Sequence, residues 1–321
     1  MVKKIIIIGG NVFNQDGPVL DFIKLCKNKN IEILLITDKI HLNYPTRTYG
    51  TFGQALKKFK VKFKVLNNFN YSGLKFLKQN FIPKESIIIS MNSIWIFNKK
   101  MITYFKNVYN YHNADLPSQR GAACHSWNIM MNNFKSSLNI HLVNHKIDEG
   151  NLIFKKKILV PKYCLNLTDF YDFMRPLEIN FFNDFLEKLK RGTLKIKKQK
   201  NKLSFYWPKL STLKNGFIDW SWEAKDIISF SNAFDSPFQG VSTFLKNKKI
   251  ILNKARLIDN NKKFHPFQSG LIYRKNKNNI CVATKKGGVK FNLKIKKKIK
   301  LRVGDRLQTD MKNIYFSKGL F

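Results

Sequence analysis

KIIIIGG (Lys4–Gly10), GPVLDFIKLCK (Gly17–Lys27) and IEILLIT (Ile31–Thr37) follow one another at the head of the chain, and their order decides the fold. The first and third are aliphatic runs of strand length, and the segment between them reads as a helix. The pattern continues with a loop around Asn43-Tyr44-Pro45 and a helix from about Gln54. A strand over Lys62 to Leu66, a helix from about Ser72 and a strand over Ser86 to Ser90 complete it. Alternating strands and helices imply a parallel sheet covered on both faces, so the expected class is α/β with a Rossmann-like core. Ligands of such sheets bind outside the carboxyl ends of the strands, which directs attention to the segments after Ser90 and Asn110. Gly9-Gly10 is not the glycine fingerprint of a dinucleotide site, and a tight strand-to-helix turn explains it.

Further along, Leu167 to Lys190 reads as a long helix closed by Arg191-Gly192, a basic last turn followed by a residue that tolerates the left-handed cap. Thr193 to Lys202 is lysine-rich, with the alternation of a short edge strand or a solvated linker. A domain boundary is expected there, giving a catalytic domain over 1–205 and a smaller C-terminal domain over 206–321. In the latter, a helix over Ala224 to Phe234 precedes short alternating runs punctuated by Gly270, Gly287-Gly288 and Gly304, the signature of a small β-barrel of OB-like type.

The chain has 321 residues, 44% of them hydrophobic, 28 of them Phe, so it can bury a sizeable core. No run approaches the roughly 20 apolar residues of a membrane span. The basic start Met1-Val2-Lys3-Lys4 leads into an apolar run that stops at Gly9-Gly10, unlike a secretion signal. The expectation is a cytoplasmic protein that does not engage membranes. Cys26, Cys124, Cys164 and Cys281 lie far apart with no CxxC pair, so no metal knuckle or disulfide framework is suggested. Cys124 beside His125 is a nucleophile only in principle; packing explains it as well. The formal net charge of +39 suits a polyanion partner, but the lysines come with many Asn and Ile and few Arg or Ala, as an AT-rich genome would impose. Lys294 to Arg302 reads as a solvated strand face in either case.

The chemistry lies between Val108 and Phe154. There the chain reads Asn110-Tyr-His112, then Leu116-Pro-Ser-Gln-Arg120-Gly121, then Asp148-Glu-Gly150. This resembles the folate-dependent formyltransferase family, which carries an Asn-x-His pair, a Leu-Pro-x-x-Arg-Gly loop and an Asp-x-Gly in that order and at compatible spacing. The resemblance extends to Trp207-Pro208, Gly216 to Trp220, Ala233 to Pro237 and Gly270 to Ile272, which look like the C-terminal domain of methionyl-tRNA formyltransferases and of some amino-sugar formyltransferases.

The residue types suit the reaction that the resemblance implies. Acyl transfer passes through a tetrahedral intermediate whose oxygen turns negative, and a fixed neutral amide such as Asn110 stabilises it. The attacking amine must shed a proton to a group within hydrogen-bond reach, a task that histidine suits as a residue type and that falls to His112. Asp148 would orient the imidazole, stabilise its charged form and relay the proton to the leaving folate nitrogen. Asn110 and His112 share a face if their segment is extended. Asp115 and Glu149 are neighbouring carboxylates outside the family's position, and His41, His125, His141, His145 and His265 default to structural or surface roles. By the same resemblance, 10-formyltetrahydrofolate is the cosubstrate, no metal is required, and Met91, Ser93, Ile96, Arg120, Gly121 and Gly150 are the residues carried over to folate binding.

For the acceptor, Ser118-Gln119 stands where the tRNA enzymes read Arg-Trp, and Lys39 to Gly50 lacks the long basic insertion that those enzymes place against the acceptor stem. The expected acceptor is therefore the amino group of a nucleotide-linked sugar made for a surface polysaccharide. Methionyl-tRNA is the alternative, and a catalytically retired module that binds RNA or a partner is the second. Assembly into a homodimer is left open.

Overall fold

The computed structural model describes residues 2–12, 16–69, 71–105, 108–293 and 300–309. It divides into two compact units, one of Met1–Arg120, Lys135–Leu159 and Asp172–Tyr206, the other of Gly121–Phe134, Val160–Tyr171 and Trp207–Phe321.

In the first unit the strands are β1 (Lys4–Gly9), β2 (Glu32–Thr37), β3 (Lys62–Val65), β4 (Ser86–Met91) and β5 (Val108–His112). After the two-residue β6 (Arg120–Gly121) come β7 (Lys135–Leu142) and β8 (Leu152–Leu159). They form a seven-stranded sheet in the order β3-β2-β1-β4-β5-β7-β8. Pairing is parallel from β3 through β5 and antiparallel from β5 through β8. The parallel half matches the reading of the sequence, and β7 and β8 add an antiparallel edge to it.

Alternation along the strands decides what each face buries. Ile6 and Ile8 of β1 join Leu34, Ile36, Ile88 and Val108 in one apolar cluster with Leu77 and Met101 of helices Tyr71–Asn80 and Lys99–Tyr104. Tyr111 of β5 instead packs on Phe182 of helix Leu167–Arg191, with ring centroids 4.8 Å apart, and Phe22 of helix Gly17–Asn28 meets the same ring at 4.9 Å. Complete burial of each of these side chains stabilises the unit by about 1.5–3 kcal/mol. Asn110 and His112 have the parity of Val108 and so leave β5 on the opposite side from Tyr111.

Gly9 and Gly10 have a packing role. Gly9 takes φ +137°, and a Cβ there would lie 1.9 Å from the Met91 carbonyl oxygen. A Cβ on Gly10 would lie 2.6 Å from the His41 side chain. The end of β1 thus presses against β4 and against a short helix, Lys39–Asn43, which Asp38 caps by accepting from the backbone N–H groups of Ile40 and His41. That helix lies just before the loop expected around Asn43-Tyr44-Pro45, in a stretch the sequence left unassigned; five residues are too few for helical periodicity to show.

In the second unit, after the two-residue β9 (Tyr206–Trp207), come β10 (Val241–Leu245), β11 (Lys248–Ile258), β12 (Ile272–Lys275), β13 (Asn279–Ala283) and β14 (Gly288–Leu293). The last five form an antiparallel sheet in the order β10-β11-β14-β13-β12. Ile227 and Ala233 of helix Ala224–Ala233 enter the core of this unit with Trp220, Leu252, Val282 and Phe291. The segment before Thr309 bridges to both edges of the sheet: Gln308 pairs with Phe244 of β10, and Arg306 with Leu271, the residue before β12. Of the basic stretch Lys294 to Arg302, residues 294–299 lie outside the described residues.

Among the described residues, no helix is long and apolar enough to cross a membrane. The four cysteines are all buried and form no disulfide.

Candidate active site

β5 ends in the middle of the sheet, between parallel β4 and antiparallel β7, and its register sets the site. Asn110 lies opposite Ser90 on β4 and His141 on β7, and His112 lies opposite Asn139. Residues directly opposite in adjacent strands project on the same face, so Asn110 and His141 meet side by side. The Asn110 amide donates to His141 Nε2 at 3.1 Å and to Asp148 Oδ1 at 3.3 Å. His112 Nδ1 is 3.7 Å from Asp148 Oδ2, and His141 Nε2 is 3.3 Å from Asp148 Oδ1. Asn110, His112 and Asp148 are therefore together, as the sequence suggested, with His141 as a fourth member.

The tautomers follow from the partners, because a carbonyl oxygen can only accept. His141 Nδ1 is 2.8 Å from the Leu142 carbonyl oxygen and carries its proton there, which leaves Nε2 to accept from Asn110 when the ring is neutral. His112 Nε2 donates to the Gln119 carbonyl at 2.6 Å, so a neutral His112 offers its Nδ1 lone pair on the side of Asp148. A proton taken up at that nitrogen is stabilised by the carboxylate facing it. Both side chains are nearly enclosed, at 10% and 11% exposure, and low water access strengthens that attraction.

The loop after β5 is held from beneath. The Asn139 amide donates to the carbonyls of His112 at 2.9 Å and Ala114 at 2.6 Å. Lys155 on β8 grips Asp115 Oδ1 at 2.7 Å and the Leu116 carbonyl at 2.6 Å. Burial opposes the Asp115 charge, but Lys155, Ser118 and Ser137 outweigh it and hold the carboxyl below its usual value. Asp115 is thus committed to bracing this loop.

Asp148 is in the left-handed region, at φ +53°, in the turn joining β7 to β8. Gly150 makes the turn feasible, since a Cβ there would lie 1.6 Å from the Leu142 carbonyl oxygen. Arg120, 4% exposed, ion-pairs with Glu149 at 3.1 Å and donates to the side chains of Gln199 and Asn201 at 3.0 Å each. Arg120 and Gly150 therefore support the Asp148 turn, and the other residues carried over to folate binding are scattered. Met91 is buried at the end of β4, opposite Tyr111 in register. Ser93 accepts the Trp95 N–H within its own loop, and Ile96 is 81% exposed. Gly121, at φ +94°, follows Arg120.

Two residues escaped the sequence reading. His141 carries no local motif, and only the antiparallel register of β5 and β7 brings it to Asn110. Gln199 sits in the lysine-rich stretch that reads as a short edge strand or a solvated linker; Lys197 bridges to Leu152 there, and Gln199 is 5% exposed and bonded to the Asp148 turn. A buried Gln amid exposed lysines has no signature that composition reveals.

Residues 211–309 match the family model described as the formyl transferase C-terminal domain. The chain is 28% identical over 150 residues to the methionyl-tRNA formyltransferase of Caldanaerobacter subterraneus subsp. tengcongensis, an alignment covering 47% of this chain and 48% of that one. It is 24% identical over 202 residues to the bifunctional polymyxin resistance protein ArnA of Wigglesworthia glossinidia brevipalpis, covering 63% of this chain and 31% of that protein. The chain spans about half or less of the length of these relatives.

Among solved structures, the N-formyltransferase from Helicobacter canadensis in complex with folinic acid and dTDP-3-aminofucose superposes with a TM-score of 0.66 at 17% identity. It covers 92% of this chain and 100% of that one. A sugar 3N-formyl transferase in the presence of dTDP and 5-N-formyl-THF gives 0.63 at 16% identity, covering 92% and 99%. The resemblance to formyltransferases that the motifs carry is thus matched in the C-terminal domain, in sequence relatives and in fold.

Proposed function

We propose that this chain transfers a formyl group from 10-formyltetrahydrofolate to a primary amine, with Asn110, His112 and Asp148 as its catalytic residues. The observation that carries the reading is the convergence of the three, with His141, at the carboxyl end of β5. The amine nitrogen attacks the formyl carbon, a C–N bond forms, and the carbonyl oxygen takes up negative charge. That oxygen replaces one of the present acceptors of the Asn110 amide, which then donates to it. The nitrogen, cationic after attack, passes a proton to the His112 and Asp148 pair. The pair returns it to the folate nitrogen as the bond from that nitrogen to the formyl carbon breaks. Met91, Ser93, Ile96, Arg120, Gly121 and Gly150 are kept as the folate-side residues, with Arg120 and Gly150 acting through the Asp148 turn.

The acceptor we favour is a nucleotide-linked amino sugar. Ser118 supports this: in the loop where the tRNA enzymes read Arg-Trp, its hydroxyl turns inward to Asp115. The sugar formyltransferases that share the fold over 92% of this chain support it too. Methionyl-tRNA is the second reading, favoured by the names of the sequence relatives. In the same proposal 1–205 is the catalytic domain and 206–321 a β-barrel domain, the barrel supported by the bridges from Arg306 and Gln308 to both edges of the five-stranded sheet. The test supplies 10-formyltetrahydrofolate with a panel of nucleotide amino sugars and with methionyl initiator tRNA. Formylated sugar is the expected product; turnover with tRNA alone would transfer the assignment to the second reading, and turnover with neither would remove it.

A further inference from the structure

The carboxylate of Asp148 is useful only if it faces His112, yet Asp148 sits in a turn whose backbone is left-handed and whose side chain alone does not fix it. One amide grips that turn. Gln199 Nε2 donates to the Asp148 carbonyl at 2.8 Å and to the Gly150 carbonyl at 2.7 Å, so its two N–H groups hold both ends of Asp148-Glu149-Gly150. Its Oε1 accepts from Arg120 Nη2 at 3.0 Å, and Arg120 Nη1 pairs with Glu149 in the middle of the same turn. Gln199 is itself fixed by backbone, because Lys197 exchanges two 2.8 Å hydrogen bonds with Leu152 at the start of β8.

The far end of this chain of contacts reaches the other half of the pair. Arg120 directly follows Gln119, whose carbonyl accepts from His112 Nε2. One side of the imidazole is therefore held by the residue next to Arg120, and the carboxylate on its other side by the residue that Arg120 binds. We propose that Gln199 is a positioning residue for formyl transfer, setting the approach of Asp148 to His112 through the turn it holds and through Arg120. The proposal rests on the catalytic reading above. It assigns a role to a residue outside the three motifs, in the lysine-rich segment between Thr193 and Lys202.

Gln199→Leu removes the donors and the acceptor, and Gln199→Glu removes the donors while keeping a partner for Arg120. Both should lower kcat about 10- to 100-fold, since small misplacement of a catalytic group has effects of this order. KM for folate and for the amine should change less than about threefold, because neither variant removes a group that binds them uniformly. The limb of the pH–rate profile that Asp148→Asn moves should move in the same direction in Gln199→Leu.

The deciding measurement is the double variant. A residue that acts through Asp148 costs little once that carboxylate is gone, so Gln199→Leu in the Asp148→Asn background should lower kcat less than about twofold. Multiplying losses, an unmoved pH limb, or full activity in the single variants would each overturn the proposal. A wild-type chain that formylates no amine would defeat the catalytic reading instead, and the two failures are thereby told apart.

Discussion

Asp148 lies between two imidazoles and an amide, and each contact has a separate consequence. In the proposed reaction, Asp148→Asn keeps the shape of the side chain but withdraws the charge that would stabilise protonated His112, and His112→Ala removes the proposed proton acceptor. Each should reduce kcat by about 10²–10⁴-fold, with an unfolding transition close to that of wild type, measured by formyl transfer alongside thermal denaturation. Asn110→Asp places a second carboxylate 3.3 Å from the position of Asp148 Oδ1 and aims an acceptor at the developing oxyanion. A loss of about 10²–10³-fold is expected, and retention of more than a tenth of the activity would remove Asn110 as the oxyanion donor. His141→Phe fills the same space while deleting the acceptor that orients the Asn110 amide, so a smaller loss in kcat of about tenfold is expected. His141 shows the limit of reading residues singly: a motif announces Asn110, His112 and Asp148, whereas His141 becomes visible only when β7 is known to run antiparallel to β5 in one register.

At the scale of elements, the parallel half of the first sheet was legible because buried parallel strands are apolar without interruption, as Ile5 to Ile8 and Ile33 to Ile36 are. The β7–β8 pair was not, since Lys155, Lys156 and Lys157 lie inside β8 at the sheet edge, where solvent tolerates charge and the apolar pattern is lost. The long helix Leu167–Arg191 was legible from its length and its glycine cap, but the function of its buried acid was not. Glu178 is 3% exposed and accepts from the Tyr111 hydroxyl at 2.5 Å, behind the strand that bears Asn110 and His112. Burial pushes its carboxyl up to about 7, against the opposing pull of the Tyr111 and Asn113 hydrogen bonds. The sign of the linkage is that of a raised acid. Its contribution to stability is complete below the ordinary glutamate value of 4.5, declines as pH rises, and is lost once pH passes about 7. Glu178→Gln supplies the neutral form at every pH. Urea unfolding should therefore show the variant gaining on wild type by about 2–3 kcal/mol between pH 4.5 and pH 8. A pH-independent difference would mean that Glu178 does not titrate across this range.

For the whole molecule the open quantity is the charge of +39, which both acceptor readings can use. Most of it is spread, but one groove of about 820 Å³ in the first unit has seven lysines among its lining residues and no acid. Lys195, Lys197, Lys198 and Lys200 come from the stretch that carries Gln199, and Leu152 and Leu203 also line the groove. Arginine, whose planar fork suits phosphate, does not line it, which fits lysines supplied by composition better than a surface shaped for nucleic acid. Salt separates the two. Displacing counterions from an RNA backbone makes affinity fall steeply with ionic strength, whereas a sugar diphosphate has only two phosphates to neutralise. Raising salt from about 50 to about 200 mM should therefore raise the KM of a nucleotide amino sugar by less than about tenfold, against about 10³-fold or more for an acceptor gripped through six or more phosphates. Replacing Lys195, Lys197, Lys198 and Lys200 together by Gln should leave kcat/KM for the sugar within about threefold if these lysines are solvated surface. A drop larger than that, accompanied by a shallower salt dependence, would show instead that the groove binds the acceptor and that its charge is functional.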